Sequence, residues 1–169
     1  MKLLLAALLS TLLFAKGIDV ESLIKGLYPH ARSVEKKSAI LTPSQSRAIE
    51  KRAGAKLPSH LVRYYHIDEG KKEVFAIVIV QKVRTKKAAV MYFIADGAIE
   101  HIEILAFGEP PEFKPKKNWL EQFSGKTDKA GLKVGEDIAA SSGATLSAKN
   151  VTKGARLALA IYEIVRRKQ

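Results

Sequence analysis

Cysteine is absent from all 169 residues. That absence removes disulfides, thiol nucleophiles, iron–sulfur clusters, thiolate zinc sites and the thioether attachment of c-type haem. Any redox chemistry here needs a borrowed cofactor held by other groups. Acidic residues are also scarce, with 17 Asp and Glu against 29 Lys and Arg and a formal charge of +12. The histidines, His30, His60, His66 and His101, lack metal-ligand spacing, and two of them fall inside predicted strands, so no metal site is expected. No G-x-S-x-G elbow, dinucleotide glycine fingerprint or Walker loop occurs. No acid–base pair stands out, which disfavours an enzyme with its own substrate. What is present, 47% apolar residues with 11 Gly and 6 Pro, suits one globular domain and excludes collagen, a long coiled coil and a wholly disordered chain.

Long apolar runs are confined to Leu3–Ala15, where only Ser10 and Thr11 are polar and Lys2 precedes. Spanning a bilayer takes about 20 apolar residues, so this run has the length and flanks of a cleaved secretory signal. The expected division is a signal over residues 1–17 and a mature domain over 18–169, exported to the periplasm or beyond and not membrane-spanning. Cleavage removes Lys2 and Lys16 and no acid, so the basic character belongs to the mature domain.

Apolar spacing predicts a short helix over 18–28, stopped near Tyr28-Pro29. Thr42-Pro43-Ser44-Gln45 has the pattern of a capping box with proline in the first turn, predicting a second helix to about Ala53, ended by Gly54. The period then changes to two. Leu61–Ile67, Glu73–Val83, Ala88–Ala95 and Ile99–Phe107 read as four strands of an antiparallel meander, with turns at Asp68-Glu69-Gly70 and Asp96-Gly97. A loop region rich in Pro, Gly and Lys follows, holding one short helix near Asn118–Phe123, before the longest helix, Ser147–Arg167. The fold class is α+β: an antiparallel sheet packed with helices, and a long C-terminal helix.

The peptide Ser141-Ser142-Gly143-Ala144-Thr145-Leu146-Ser147 stands immediately before that helix. Small residues followed by a helix start allow close backbone approach and aim N–H groups outward, which suits a phosphate. Lys149 and Lys153 add positive potential. On local pattern alone, Thr145 or Ser147 would simply cap the helix.

Ser142-Gly143-Ala144-Thr145, together with Leu27-Tyr28-Pro29, Leu41-Thr42-Pro43, Val62-Arg63-Tyr64-Tyr65, Ile104–Pro110, Trp119–Lys126 and Gly135–Ile138 in their order and spacing, resembles the FMN-binding domain family. That family occurs in the C and G subunits of sodium-pumping and related ferredoxin- or quinone-linked redox complexes, and in stand-alone exported flavoproteins. The resemblance implies that a flavin transferase esterifies Thr145 through the phosphate of FMN, with Ser142, Gly143, Ala144 and Leu146 forming the attachment peptide. It also implies that Glu109 and Pro110 face the flavin. Leu132, Tyr92 and Trp119 are candidate walls for the ring and equally candidates for the core. Two positions depart from the family pattern: Ala139 stands where an acid six residues before the threonine is usual, leaving Asp137 as the nearest acid, and Lys86-Lys87 replaces a lysine–histidine pair.

The function implied is electron carriage between redox partner proteins or a membrane electron-transfer complex. Lys114, Lys116, Lys117, Lys126, Lys129 and Lys133 flank the loops concerned and would steer an acidic partner. Nucleic acid is not expected, since no aromatic-basic motif occurs. The alternative is a basic binding module that keeps the fold without flavin, a reading to which Ala139 lends weight.

Overall fold

The computed structural model describes residues 18–168; the predicted signal, 1–17, lies outside them. Helix α1 (Val20–Leu27) is capped by Asp19, whose carboxylate accepts from the amides of Glu21 and Ser22. Strand β1 (Ser33–Ile40) leads to α2 (Pro43–Ala53), where the expected capping box is formed and Gly54 closes the far end in the left-handed conformation. Strands β2 (Leu61–Asp68), β3 (Glu73–Lys82), β4 (Lys87–Ala95) and β5 (Ala98–Phe107) follow. The five strands stand in sequence order, each antiparallel to the next. The meander and the α+β class are as expected. In the β4–β5 turn both Asp96 and Gly97 have positive φ, 51° and 79°, the backbone that a two-residue hairpin needs.

Strand β1 is an addition to the sequence reading. Its middle is Glu35-Lys36-Lys37 and only Ala39 is buried, so it shows no apolar alternation. It occupies the sheet edge, pairing with β2 alone, where charged residues are tolerated and discourage further pairing.

Helices α2 and α4 (Thr145–Val165) cover one face of the sheet with the larger core, and α1 covers part of the other over Tyr65, Ile67, Met91 and Phe93. The placement of α4 is tight. A Cβ on Gly154 would overlap the Tyr92 hydroxyl and lie 2.8 Å from Tyr92 Cζ. Around that contact Tyr92 Oη donates to Val151 O at 2.9 Å, Gln81 Nε2 to Asn150 O at 2.7 Å, and Asn150 Nδ2 to Lys82 O at 2.9 Å. These bonds fasten the start of α4 beside the end of β3. The 83–86 turn, the end of β5 and the start of α4 are thereby gathered at one end of the domain. Among the described residues, no helix is long and apolar enough to cross a membrane.

Candidate functional site

Helix α4 begins at Thr145, two residues earlier than its apolar period predicted. Gly143, at φ 76°, turns the chain so that Ala144 becomes the N-cap, and Ala144 N donates to Ser141 O at 3.1 Å. No side chain caps the helix. Thr145 is the first helical residue and is exposed, Leu146 is 52% exposed, and Ser147 is buried. The simple reading, in which Thr145 or Ser147 serves as the cap, therefore does not hold. The amides of the first turn have no intrahelical partners and sit at the positive end of the helix dipole, beside an exposed threonine hydroxyl.

Open space borders this helix start on two sides. On one side lies a cleft of about 470 Å³ whose walls include Trp119, Gln122, Ala139, Ser142 and Ala144, with Lys114 and Lys116 at its border. Trp119 and Gln122 also hold that wall in place: Trp119 Nε1 donates to Ala139 O at 2.8 Å, and Ala139 N donates to Gln122 Oε1 at 2.7 Å. On the other side a cavity of about 120 Å³ runs between Gly143, Ser147, Val83 and Phe113. Glu109 and Phe113 carry it into a cleft of about 620 Å³ that Lys86 and Pro110 also line. The two larger volumes are in the range of small-molecule and cofactor sites.

Glu109 is buried and its carboxylate is already engaged. One oxygen accepts from the amides of Arg84, Thr85 and Lys86 at 3.1, 2.6 and 2.7 Å, and the Thr85 hydroxyl lies within reach of both oxygens. The Lys86 amide, helped by those of Thr85 and Arg84 and by the Thr85 hydroxyl, holds the carboxyl below its ordinary range despite the opposing effect of burial. Glu109 thus fastens the 83–86 turn to the end of β5 while lining the cleft. Gly108 makes the approach possible, since a Cβ there would meet Lys86 Cβ at 2.9 Å and Lys87 O at 3.0 Å. Pro110 is exposed.

Two of the candidate walls belong to the core instead. Leu132 and Tyr92 are wholly buried and line neither cleft, so neither has surface free to face a ring. Leu132 adopts φ 46° and is held by its backbone: its amide donates to Asp137 at 2.6 Å and its carbonyl accepts from Arg156 Nη1 at 2.6 Å. Asp137 is correspondingly occupied, accepting from Leu132 N and Lys133 N. Burial pushes its carboxyl up, but the hydrogen bonds from Lys133 and Leu132 prevail and hold it below its ordinary range. Residues that the sequence did not single out include Phe113, Arg84 and Gln122. Phe113 closely follows the Glu109-Pro110 pair in the chain, which was the available signal; Arg84 and Gln122 reach the site only through the fold.

An α+β domain with an uncapped helix start set between two clefts is shaped to hold a ligand carrying both a phosphate and a flat apolar body. Residues 85–160 match the family model described as the FMN-binding domain, which supports the resemblance to that family over this part of the chain. The match opens in the 83–86 turn and takes in β4, β5, the walls of the first cleft, those of the second except Arg84, and most of α4. No curated protein and no solved structure matches the chain.

Proposed function

We propose that the chain is an exported electron-carrying flavoprotein with FMN esterified to Thr145 Oγ1 by a flavin transferase. The observation that carries this reading is the start of α4, where an exposed threonine hydroxyl adjoins amides that no side chain caps. With FAD as donor, a new Oγ1–P bond replaces the pyrophosphate bond, AMP leaves, and the hydroxyl proton is lost. The amides of Thr145, Leu146 and Ser147, which no side chain caps, would offer their hydrogens to the phosphate. Trp119 on one side and Phe113 on the other offer aromatic walls, and Glu109 holds the 83–86 turn against the second cleft. Bound FMN supplies reversible one- and two-electron transfer, while the protein holds the ring and leaves an edge open to partners.

Co-expression with the transferase, with FAD available, should give an intact mass raised by one FMN phosphodiester, absent in Thr145→Ala. An unmodified wild-type mass would overturn the covalent reading. Export rests on Leu3–Ala15, and protein recovered from the periplasm should begin near Gly17; an intact Met1 terminus would overturn it. The second reading, a basic module without flavin, is favoured by Ala139 together with the engagement of Asp137 by backbone amides. It predicts a colourless, unmodified protein even with the transferase present.

A further inference from the structure

Charge is distributed unevenly along the sheet. At the end where β3 stops and α4 begins, Lys82, Arg84, Lys86, Lys87, Lys114 and Lys116 are all exposed, and none forms an ion pair with a described carboxylate. The acids there do little to balance them, because Glu109 is taken up by three backbone amides and only Glu112 stands exposed. At the opposite end, Asp68, Glu69, Glu73 and Glu100 gather at the β2–β3 turn and the start of β5, and there Lys72 is paired with both Glu69 and Glu100. Lys126, counted with the steering lysines on sequence order, belongs to this far end, since its carbonyl accepts from Ile99 N. The basic end also carries exposed apolar surface at Leu146, 52% exposed, and Val80, 42% exposed.

We propose that the end bearing Thr145 docks an acidic redox protein, whose carboxylates meet the 82–87 hairpin and the 114–116 loop while an apolar centre covers Leu146. Basic rims around apolar contacts are the pattern of steered, transient interfaces. The proposal rests on the flavin reading for the electrons exchanged, though not for the docking face.

Two probes of opposite charge test it on flavin-loaded, reduced protein. Two hexacyanoferrate(III) ions take the two electrons of one fully reduced flavin and become hexacyanoferrate(II), with two protons passing to water; hexaammineruthenium(III) is the cationic counterpart. Hexacyanoferrate(III) should be the steered oxidant, its rate falling as salt is added. Lys82→Glu with Lys87→Glu, a cross-strand pair outside both clefts, should slow it about 10-fold at low salt, within the usual span of steering effects. The same change should speed the ruthenium complex, and Lys71→Glu at the far turn should alter neither appreciably. Equal salt dependence for both oxidants, or equal effects of the two variants, would overturn the proposal. So would co-sedimentation with phosphatidylserine vesicles that the double variant abolishes while both oxidants react alike, since that outcome assigns the face to a membrane.

A readout independent of flavin is the amide spectrum titrated with redox-inert hexacyanocobaltate(III). Shifts should concentrate at 82–87 and 114–116 and spare 68–73. An even spread overturns the docking face, whereas a polarised pattern on a chain that takes no flavin defeats the flavin reading alone.

Discussion

The N-terminus of α2 is closed by its own side chains: Thr42 Oγ1 accepts from Gln45 N at 3.2 Å, Thr42 N donates to Gln45 Oε1 at 3.0 Å, and Pro43 removes one orphan donor. The N-terminus of α4 has Ala144 at the equivalent place, no capping side chain, and an exposed threonine one position inside the helix. Both peptides contain a threonine near a helix start, and a motif scan alone would treat them alike. Backbone geometry separates them. The β-region backbone of Thr42, φ −67° and ψ 160°, folds its hydroxyl over the helix end, whereas Gly143 at φ 76° places Thr145 past the cap, where the residue is exposed and caps nothing. A helix end closed from within serves stability, and one left open in a cleft-lined region has its donors available to a ligand.

Exchanging the two threonines for alanine is the most direct way to break the comparison. Thr145→Ala should abolish the flavin adduct completely in intact mass and leave the melting temperature of the apoprotein almost unchanged, because Thr145 caps nothing. Thr42→Ala should do the reverse, lowering stability by about 1 kcal/mol as lost N-caps do, with the adduct retained. Equal stability losses from both would show that α4 is capped after all. Closing α4 artificially sharpens the test. Ala144→Asp should lower the flavinylated fraction, measured by intact mass, since its carboxylate would compete with phosphate for the same amides.

Stability of α4 should depend on its middle more than on its start. Gly154→Ala gains about 1 kcal/mol of helix propensity, but its methyl would collide with Tyr92, which is wholly buried and hydrogen-bonded to Val151 O. Overpacking of this kind typically costs about 1–3 kcal/mol, so urea denaturation should show a net loss. A gain would mean that the ring of Tyr92 has room to move.

The degree to which each region was legible follows the same division. The α2 box, the Gly54 stop and strands β2 to β5 were readable because their signals are local: a capping pattern, a turn dipeptide, alternating apolar residues. The β1 strand was hidden because, unlike the other edge strand β5, it buries a single residue, Ala39, and carries charge in its middle. The start of α4 was placed late because apolar periodicity begins only where the helix meets the core, after the exposed Thr145 and Leu146. Glu109 was singled out by resemblance, yet its partners are the amides of Arg84, Thr85 and Lys86, a long-range contact with no sequence signature. Leu132 shows the converse, an apolar residue in a loop that could have lined a cofactor and is instead core. The clefts themselves arise from three segments distant in the chain, so their existence could not be read from any one of them.

The anchor at Glu109 makes the second cleft sensitive to acid. Its folded pKa is lowered from about 4.5, so its contribution is fully present above that ordinary value and is lost as pH falls through the lower folded value. Acidification should therefore release the amides of Arg84, Thr85 and Lys86, seen as faster hydrogen exchange than in the hydrogen-bonded interior of β4. Glu109→Gln retains one acceptor and should remove the pH dependence while weakening protection at every pH. Unchanged exchange across that range would show that the 83–86 turn is held by the Val83–Lys86 backbone bond alone.

The smallest effect is expected at Ala139. Its backbone is clamped by Trp119 and Gln122 while its side chain is exposed at the border of the larger cleft on the attachment side. The family resemblance puts an acid at this position, and Asp137 is an unsuitable replacement because Leu132 N and Lys133 N already occupy its two oxygens. Ala139→Asp should fold normally, since both clamping bonds use main-chain atoms, and should raise the flavinylated fraction when transferase is limiting. At saturating transferase the two proteins should converge, because the threonine and the open helix end are the same in both. An identical rate of modification at limiting enzyme would show that the transferase does not read this position, and would remove the observation that most favours the flavin-free alternative.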